Sequence, residues 1–318
     1  MNQTLETPAN NSMNQPGKFV LIGGMPRSGT TLIETIIGSH SRISIPPGDY
    51  PFAEQYARGL SVQRIFDILQ SKETWNLWEQ QGFDSLRDKS HGHAFRQSLV
   101  EYCTAIGKDI PGCKSPYNEF FFDTFLSWLR DFDVKFVHVV RNPFDVLASL
   151  KHSHIHKNLR VFEDMIEKQA RNWLRSTTLG LARQVSHPDN YFLLGYEAFV
   201  EDPQKFVVDL CRFIDVSPEE ERMLNRADYG YHDTNSSFPD SARERAKETD
   251  YVYRSTTRKS FLDQQQIDLI RRVCGEAAHA VGYVDADFRP GAPEYPEQVR
   301  ASVKFKRRLK RLVRKLMR

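Results

Sequence analysis

The sequence predicts an α/β fold, and three observations carry the prediction. A short apolar, β-branched run from Lys18 to Ile22 ends at Gly23-Gly24; beyond a tight loop, Leu32, Ile33, Ile36 and Ile37 recur at helical spacing before Gly38. A second apolar run, Val134 to Val140, ends in Arg141 and is followed by Pro143, which suits the first turn of a helix. Further short strands at Asp109–Tyr117 and Tyr191–Leu194 stand between helical stretches. At 318 residues, 40% hydrophobic and 27% charged, the chain suits one large elaborated globular domain.

The first strand, loop and helix carry the chemistry. A loop entering a helix aims backbone N–H groups and the positive end of the helix dipole at one point, an anion site. Gly24, four residues and then Gly29-Thr30-Thr31 fit the nucleotide loop pattern G-x-x-x-x-G-K-[ST], except that Thr30 stands where the lysine belongs. Losing that lysine removes the main clamp on a triphosphate and argues against a kinase or ATPase. Arg27 supplies a planar fork suited to a terminal phosphate or sulfate, and Ser28, Thr30 and Thr31 add hydroxyl donors.

Pro26-Arg27-Ser28-Gly29-Thr30-Thr31-Leu32 resembles the 5′-phosphosulfate loop of sulfotransferases that use 3′-phosphoadenosine 5′-phosphosulfate (PAPS). That family's second signature, a strand ending in Arg followed by a helix bearing a Ser that binds the 3′-phosphate, is matched by Val137 to Arg141 with Ser149. In motif the chain is most similar to tyrosylprotein and bacterial carbohydrate sulfotransferases. The resemblance implies a P-loop-NTPase-like three-layer sandwich with a central parallel sheet flanked by helices. It also implies PAPS as co-substrate, an acceptor hydroxyl on a carbohydrate, glycolipid, tyrosine or phenol, and no metal. Each signature alone fits an ordinary strand-to-helix turn; the two together, in order, are harder to explain that way.

The chain between the signatures supplies the remaining candidates. Ser39 to Glu54, rich in Pro and Gly, reads as a loop leading to a helix near Phe52. Related enzymes place the catalytic base here, so Asp49 is the first choice and Glu54 the second. The competing role for Asp49 is to cap the helix ahead of Pro51. Phe52 to Gly107 reads as helices that wall the acceptor side, with His91 and His93 in a polar loop. Lys114-Ser115-Pro116 at the end of the third strand matches a family Lys-x-Pro whose lysine faces the transferred sulfuryl group, where a fixed cation lowers the barrier. Asn118 to Arg130 reads as an aromatic-rich helix.

Beyond Ser149, His152, His154 and His156 alternate without a partner Cys or acidic cluster and read as a solvated turn; a helix follows over Val161 to Val185. Tyr196-Glu197 and Asp202-Pro203 match a further family pattern, with Tyr196 near the adenine or supporting the cofactor loops and Glu197 structural. In polar Tyr229 to Lys259, Arg258 and, less closely, Lys259 sit where related enzymes close over the 3′-phosphate, although Ser260 replaces the expected glycine.

The ends differ from this body. Residues 1–17 are polar and Asn-rich, lack a basic start and an apolar core, and predict a disordered segment ahead of a domain over 18–290. Residues 291–318 predict a basic amphipathic helix: Arg300 to Arg318 hold ten Lys or Arg and no acid, and without them the net charge of +3 would be negative. Such a tail suits an anionic membrane surface or packs on its own domain; basic residues confined to a tail do not suggest nucleic acid. The four scattered cysteines, with no C-x-x-C pair, suit a reducing, cytoplasmic setting, with the inner membrane face as a peripheral site. A P-loop small-molecule kinase and a non-catalytic nucleotide-binding module on a membrane are the rival readings.

Overall fold

The computed structural model of the protein describes residues 16–70, 83–152, 159–224 and 262–283. Arg258, Lys259, His154, His156 and the two expected terminal segments, apart from residues 16 and 17, lie outside them. Five strands form one parallel sheet: β1 (Lys18–Gly24), β2 (Ile43–Ser44), β3 (Ile110–Lys114), β4 (Asp133–Val140) and β5 (Tyr191–Gly195), in the order β2-β3-β1-β4-β5. The helices are α1 (Thr30–Gly38), α2 (Phe52–Ala57), α3 (Val62–Gln70), α4 (His91–Ala105), α5 (Phe122–Trp128), α6 (Pro143–His152), α7 (Leu159–Ser186), α8 (Tyr196–Glu201), α9 (Pro203–Ile214), α10 (Glu220–Leu224) and α11 (Gln264–Ala280).

β1 to β4 are buried on both faces and the edge strand β5 in part, and their alternation assigns the layers. On one face Val20, Ile22, Val137 and Val139 pack with Ile33, Ile36 and Ile37 of α1 and Phe206, Val207 and Leu210 of α9. On the other, Phe19, Leu21 and Phe136 pack with Phe95 and Leu99 of α4 and Phe122 and Phe125 of α5. A third cluster joins Val146 and Leu147 of α6, Trp173 of α7, and Ile270, Cys274 and Ala277 of α11. This is the expected three-layer α/β sandwich.

Local signals fix the helix starts. Pro143 opens α6, and the Asn142 side-chain oxygen accepts the Phe144 N–H at 2.9 Å. Asp202 caps α9 by accepting the Lys205 N–H, and Asp263 and Gln266 form a reciprocal capping box at α11. All four cysteines are buried free thiols. Among the described residues, no helix is long and apolar enough to cross a membrane.

Three segments differ from the sequence reading. Ile43–Ser44 pairs with Ile110–Pro111 as an edge strand inside the expected loop, two residues being too short for a periodic signal. His91 and His93 lie in the first turn of α4 rather than a loop, with His91 Nε2 hydrogen-bonded to the Leu60 carbonyl at 2.8 Å. The helix expected from Asn118 begins as a 3-10 turn, Asn118–Phe121, before α5.

Candidate active site

In parallel α/β sheets, ligands bind beyond the carboxyl ends of the strands, where the chain switches direction. Here β1 ends at Gly24, β3 at Lys114, β4 one residue before Arg141 and β5 one residue before Tyr196. Asp49 follows β2 on the same edge. Residues scattered along the sequence are thus gathered along one rim.

The loop leaving β1 is built around backbone that most residues avoid. Gly24 (φ 139°) lies so close to the Val139 carbonyl that a Cβ would overlap it. Arg27 (φ 74°) and Gly29 (φ 97°) both adopt left-handed conformations. For Arg27 this costs roughly 1–3 kcal/mol, strain typical of ligand clamps. Alternating positive and negative φ turns successive N–H groups inward, making a concave anion nest. Gly29 is the N-cap of α1 and provides no side-chain cap, so the helix's opening N–H groups face that nest. Ser28 Oγ is buried there with no hydrogen-bond partner among the described residues. Thr30 is buried beside it and Thr31 is exposed at the rim.

A buried polar chain braces the loop from behind. Glu119 Oε2 accepts the Gly24 N–H at 2.7 Å, and its Oε1 accepts the Ser176 hydroxyl at 2.6 Å. Ser176 Oγ lies 3.1 Å from His138 Nε2, and His138 Nδ1 lies 2.8 Å from the Tyr191 hydroxyl. Burial drives His138 down to about 3, so the imidazole is neutral. Its tautomer follows from the partners: Tyr191 donates to Nδ1, Nε2–H donates to Ser176, and Ser176 donates to Glu119. Burial also pushes the Glu119 carboxyl up to about 6. Sequence reading missed Glu119, Ser176 and His138. The available signals were a carboxylate in an aromatic run and a histidine in an apolar strand.

The second centre is an ammonium held by two carboxylates. Lys114 Nζ is 2.9 Å from Glu34 Oε2 and donates to Asp49 Oδ1 at 2.5 Å. The Lys114 and Glu34 side chains are 3% and 7% exposed, whereas Asp49 is 48% exposed and faces outward. Burial opposes charge on Lys114, but Glu34 and Asp49 outweigh it and hold the ammonium above its usual range. Burial pushes Glu34 up to about 7, against the pull of Lys114. Pro51, without a side-chain cap, is the N-cap of α2, so Asp49 does not play the capping role the sequence allowed. Glu54 pairs instead with Arg58 at 2.5 Å on α2. Glu34 was also missed, although it is the one acid in α1.

The two sequence signatures meet at Arg27. Its Nε donates to Ser149 Oγ at 3.0 Å, and Arg141 Nη1 donates to the Arg27 carbonyl at 3.5 Å. The Arg141 guanidinium lies 4.4 Å from the Tyr196 ring centroid, and Nη2 is 3.8 Å from Asp145. The same tyrosine covers Gly29, where a Cβ would overlap the ring. Glu197 accepts the Asn142 N–H at 2.9 Å and the Tyr283 hydroxyl at 2.5 Å, which fixes the turn after Arg141 and gives Glu197 the expected structural role. Trp173 Nε1 donates to the Arg141 carbonyl at 2.9 Å.

Comparison with known proteins gives one family. The Sulfotransferase family model (Sulfotransfer_3) matches residues 20–221. A protein of Aquifex aeolicus (strain VF5) is 26% identical over 216 residues, which cover 65% of this chain and 26% of that protein; the chain thus spans about a quarter of this relative's length. Among solved structures, the sulfotransferase domain of the Synechococcus PCC 7002 olefin synthase is 20% identical with a TM-score of 0.49, over 85% of this chain and 98% of that one. The sulfotransferase domain from the curacin biosynthetic pathway is 18% identical at 0.49, over 82% and 97%. Mouse sulfotransferase SULT7A1, solved with PAP, is 13% identical at 0.47, over 95% and 90%.

Proposed function

The chain belongs to the sulfotransferase family, and from that premise we propose that it moves a sulfuryl group from PAPS to an acceptor hydroxyl by in-line transfer without a metal. The observation that carries this reading is the pairing, on one sheet edge, of an anion nest with Lys114 held beside the outward-facing Asp49. The buried Ser28 Oγ, without a hydrogen-bond partner among the described residues, fits an anionic group in the nest.

In this reading Ser28, Gly29, Thr30 and Thr31 hold the 5′-phosphosulfate with their backbone N–H groups and hydroxyls, and Arg27 and Lys114 face the charge that develops on transfer. Arg141 and Ser149 hold the 3′-phosphate, which separates PAPS from ATP. Tyr196 orders the nest, and Arg258 remains a candidate for closing over the 3′-phosphate. Asp49 takes the acceptor proton as the acceptor oxygen bonds to sulfur. The bond from sulfur to the 5′-phosphate oxygen breaks with its electron pair, leaving adenosine 3′,5′-bisphosphate. A positioned base of this kind contributes roughly a hundred- to ten-thousand-fold in rate. Asp49 is preferred to Glu54 because Asp49 contacts Lys114 while Glu54 is paired along α2. Carbohydrate, glycolipid, tyrosine and phenol hydroxyls all suit the chemistry.

Calorimetric titration with adenosine 3′,5′-bisphosphate, and with ATP and magnesium, tests the donor on wild type and Arg141→Ala. Magnesium-independent bisphosphate binding that the substitution abolishes is the expected result. Preference for ATP with magnesium, or binding of neither, would overturn the reading.

A further inference from the structure

Glu34 lies on α1 one helical turn after Thr30, on the same buried side. Its two oxygens serve different parts of the site. Oε2 faces Lys114 Nζ at 2.9 Å, and Oε1 accepts the Gly48 N–H at 2.9 Å, at the residue preceding Asp49. One carboxylate therefore locates the cation directly and the base loop through its backbone. The helix that carries it also begins at the anion nest.

We propose that Glu34 is the positioning residue that sets Lys114 and Asp49 in register with the group bound at the start of α1; this rests on the sulfotransferase reading above. Three features argue against a mere internal ion pair. Lys114 has a second carboxylate, Asp49, at shorter range, so Glu34 is not required simply to neutralise it. Gly48 sits at φ 90°, and Tyr50 N donates to the Lys114 carbonyl at 2.8 Å, so the Asp49 loop is pinned on both sides of the base. Gly48 is held to α1 and Tyr50 to β3, and Glu34 refers the Gly48 side of the loop to the helix that opens at the nest. With Glu34 behind it, the ammonium stays tethered and charged if its bond to Asp49 opens toward a sulfuryl oxygen. The Glu34 and Lys114 side chains are almost fully enclosed, at 7% and 3% exposed.

The test uses the full chain with PAPS, following release of adenosine 3′,5′-bisphosphate with 2-naphthol, a tyrosine peptide, an oligosaccharide and water as acceptors, and measuring bisphosphate affinity by calorimetry. Glu34→Gln keeps an acceptor for Gly48 but removes the charge that holds Lys114. Its turnover should fall about ten- to a hundredfold, by analogy with the loss of outer-shell partners that orient metal-site ligands, with bisphosphate affinity within about twofold of wild type. Lys114→Met should lower turnover further, and adding Glu34→Gln to it should change turnover no more, because the glutamate acts through the lysine. If Glu34→Gln does not fold, Glu34→Asp keeps the charge but shortens the reach, and the same loss of turnover at unchanged affinity is expected. Wild-type turnover in whichever variant folds, or a full additional loss in the Lys114→Met background, overturns the proposal alone. A wild type that binds bisphosphate but releases none from PAPS with any acceptor removes the transfer reading and this one with it.

Discussion

Replacing Glu119 separates two jobs of a buried carboxylate that touches no substrate. Glu119→Ala strands the Gly24 N–H and the Ser176 hydroxyl, which now donate at 2.7 and 2.6 Å. Hydrogen bonds to a charged group contribute roughly 1.5–3 kcal/mol each, so the loss is about 3–6 kcal/mol before any cavity term. Glu119→Gln behaves differently because the chain behind it can reverse. The amide oxygen takes Gly24, and the amide N–H donates to Ser176. Ser176 then donates to His138 Nε2, while Nδ1–H donates to Tyr191, whose own hydroxyl hydrogen loses His138 as its acceptor. The glutamine also removes an ionisation cost. The folded carboxyl stands near 6 against 4.5, worth roughly 2 kcal/mol against folding at neutral pH. A raised carboxyl means that the folded state holds the proton more tightly. This contribution to stability therefore falls as the pH climbs from about 4.5 to about 6 and is flat above. Urea denaturation at pH 7 should show Glu119→Ala destabilised by several kcal/mol and Glu119→Gln close to wild type. Bisphosphate calorimetry should show binding lost in the first and kept in the second. An alanine variant within about 1 kcal/mol of wild type with intact binding would refute the bracing role.

Other substitutions read the remaining parts of the site. Asp49→Asn should lower turnover about a hundred- to ten-thousand-fold while leaving bisphosphate affinity intact; full activity would remove Asp49 as the base. Gly29→Ala places a Cβ on the Tyr196 ring at φ 97°, so it should lower the melting temperature and abolish bisphosphate binding, both measurable in one thermal-shift titration. Deleting residues 300–318 should reduce sedimentation with vesicles containing anionic phospholipid and leave bisphosphate affinity unchanged; undiminished sedimentation would show that the tail does not carry the contact.

How much was legible depended on the range of the signal. β1, the loop and α1 read correctly because apolar period, glycines and helix stop all lie within a short stretch, and the end of β4 with Pro143 is equally local. Lys114 was placed correctly because a strand end is a local feature. Its partners were not, since Glu34 meets it only when β3 pairs beside β1 and α1 covers that face. Glu119, Ser176 and His138 belong to the same kind of contact. Each looks ordinary in sequence, and the chain they form crosses from the turn after β3 through α7 to β4. Asp49 and Glu54 also look alike in sequence, lying in and just after the same Pro-rich stretch, and only their partners in the folded chain, Lys114 and Arg58, distinguish them.

The partners of the three site cations order the proposed reaction. Arg27 leans on a serine hydroxyl, and Arg141 on a carboxylate at 3.8 Å and an aromatic face. The phosphates of a donor can compete with such contacts through charge-assisted, bidentate hydrogen bonds. Lys114 is held by two carboxylates, at 2.5 and 2.9 Å, and gains less from a ground-state sulfate. Its balance changes as the reaction proceeds, because Asp49 loses its charge on taking the acceptor proton while charge builds on the departing oxygen. Lys114 is then released from one carboxylate at the moment a stronger acceptor appears. An interaction that strengthens only on the way to the transition state raises turnover rather than affinity. In the proposed reaction Lys114, with Glu34 behind it and Asp49 before it, therefore belongs to the chemical step.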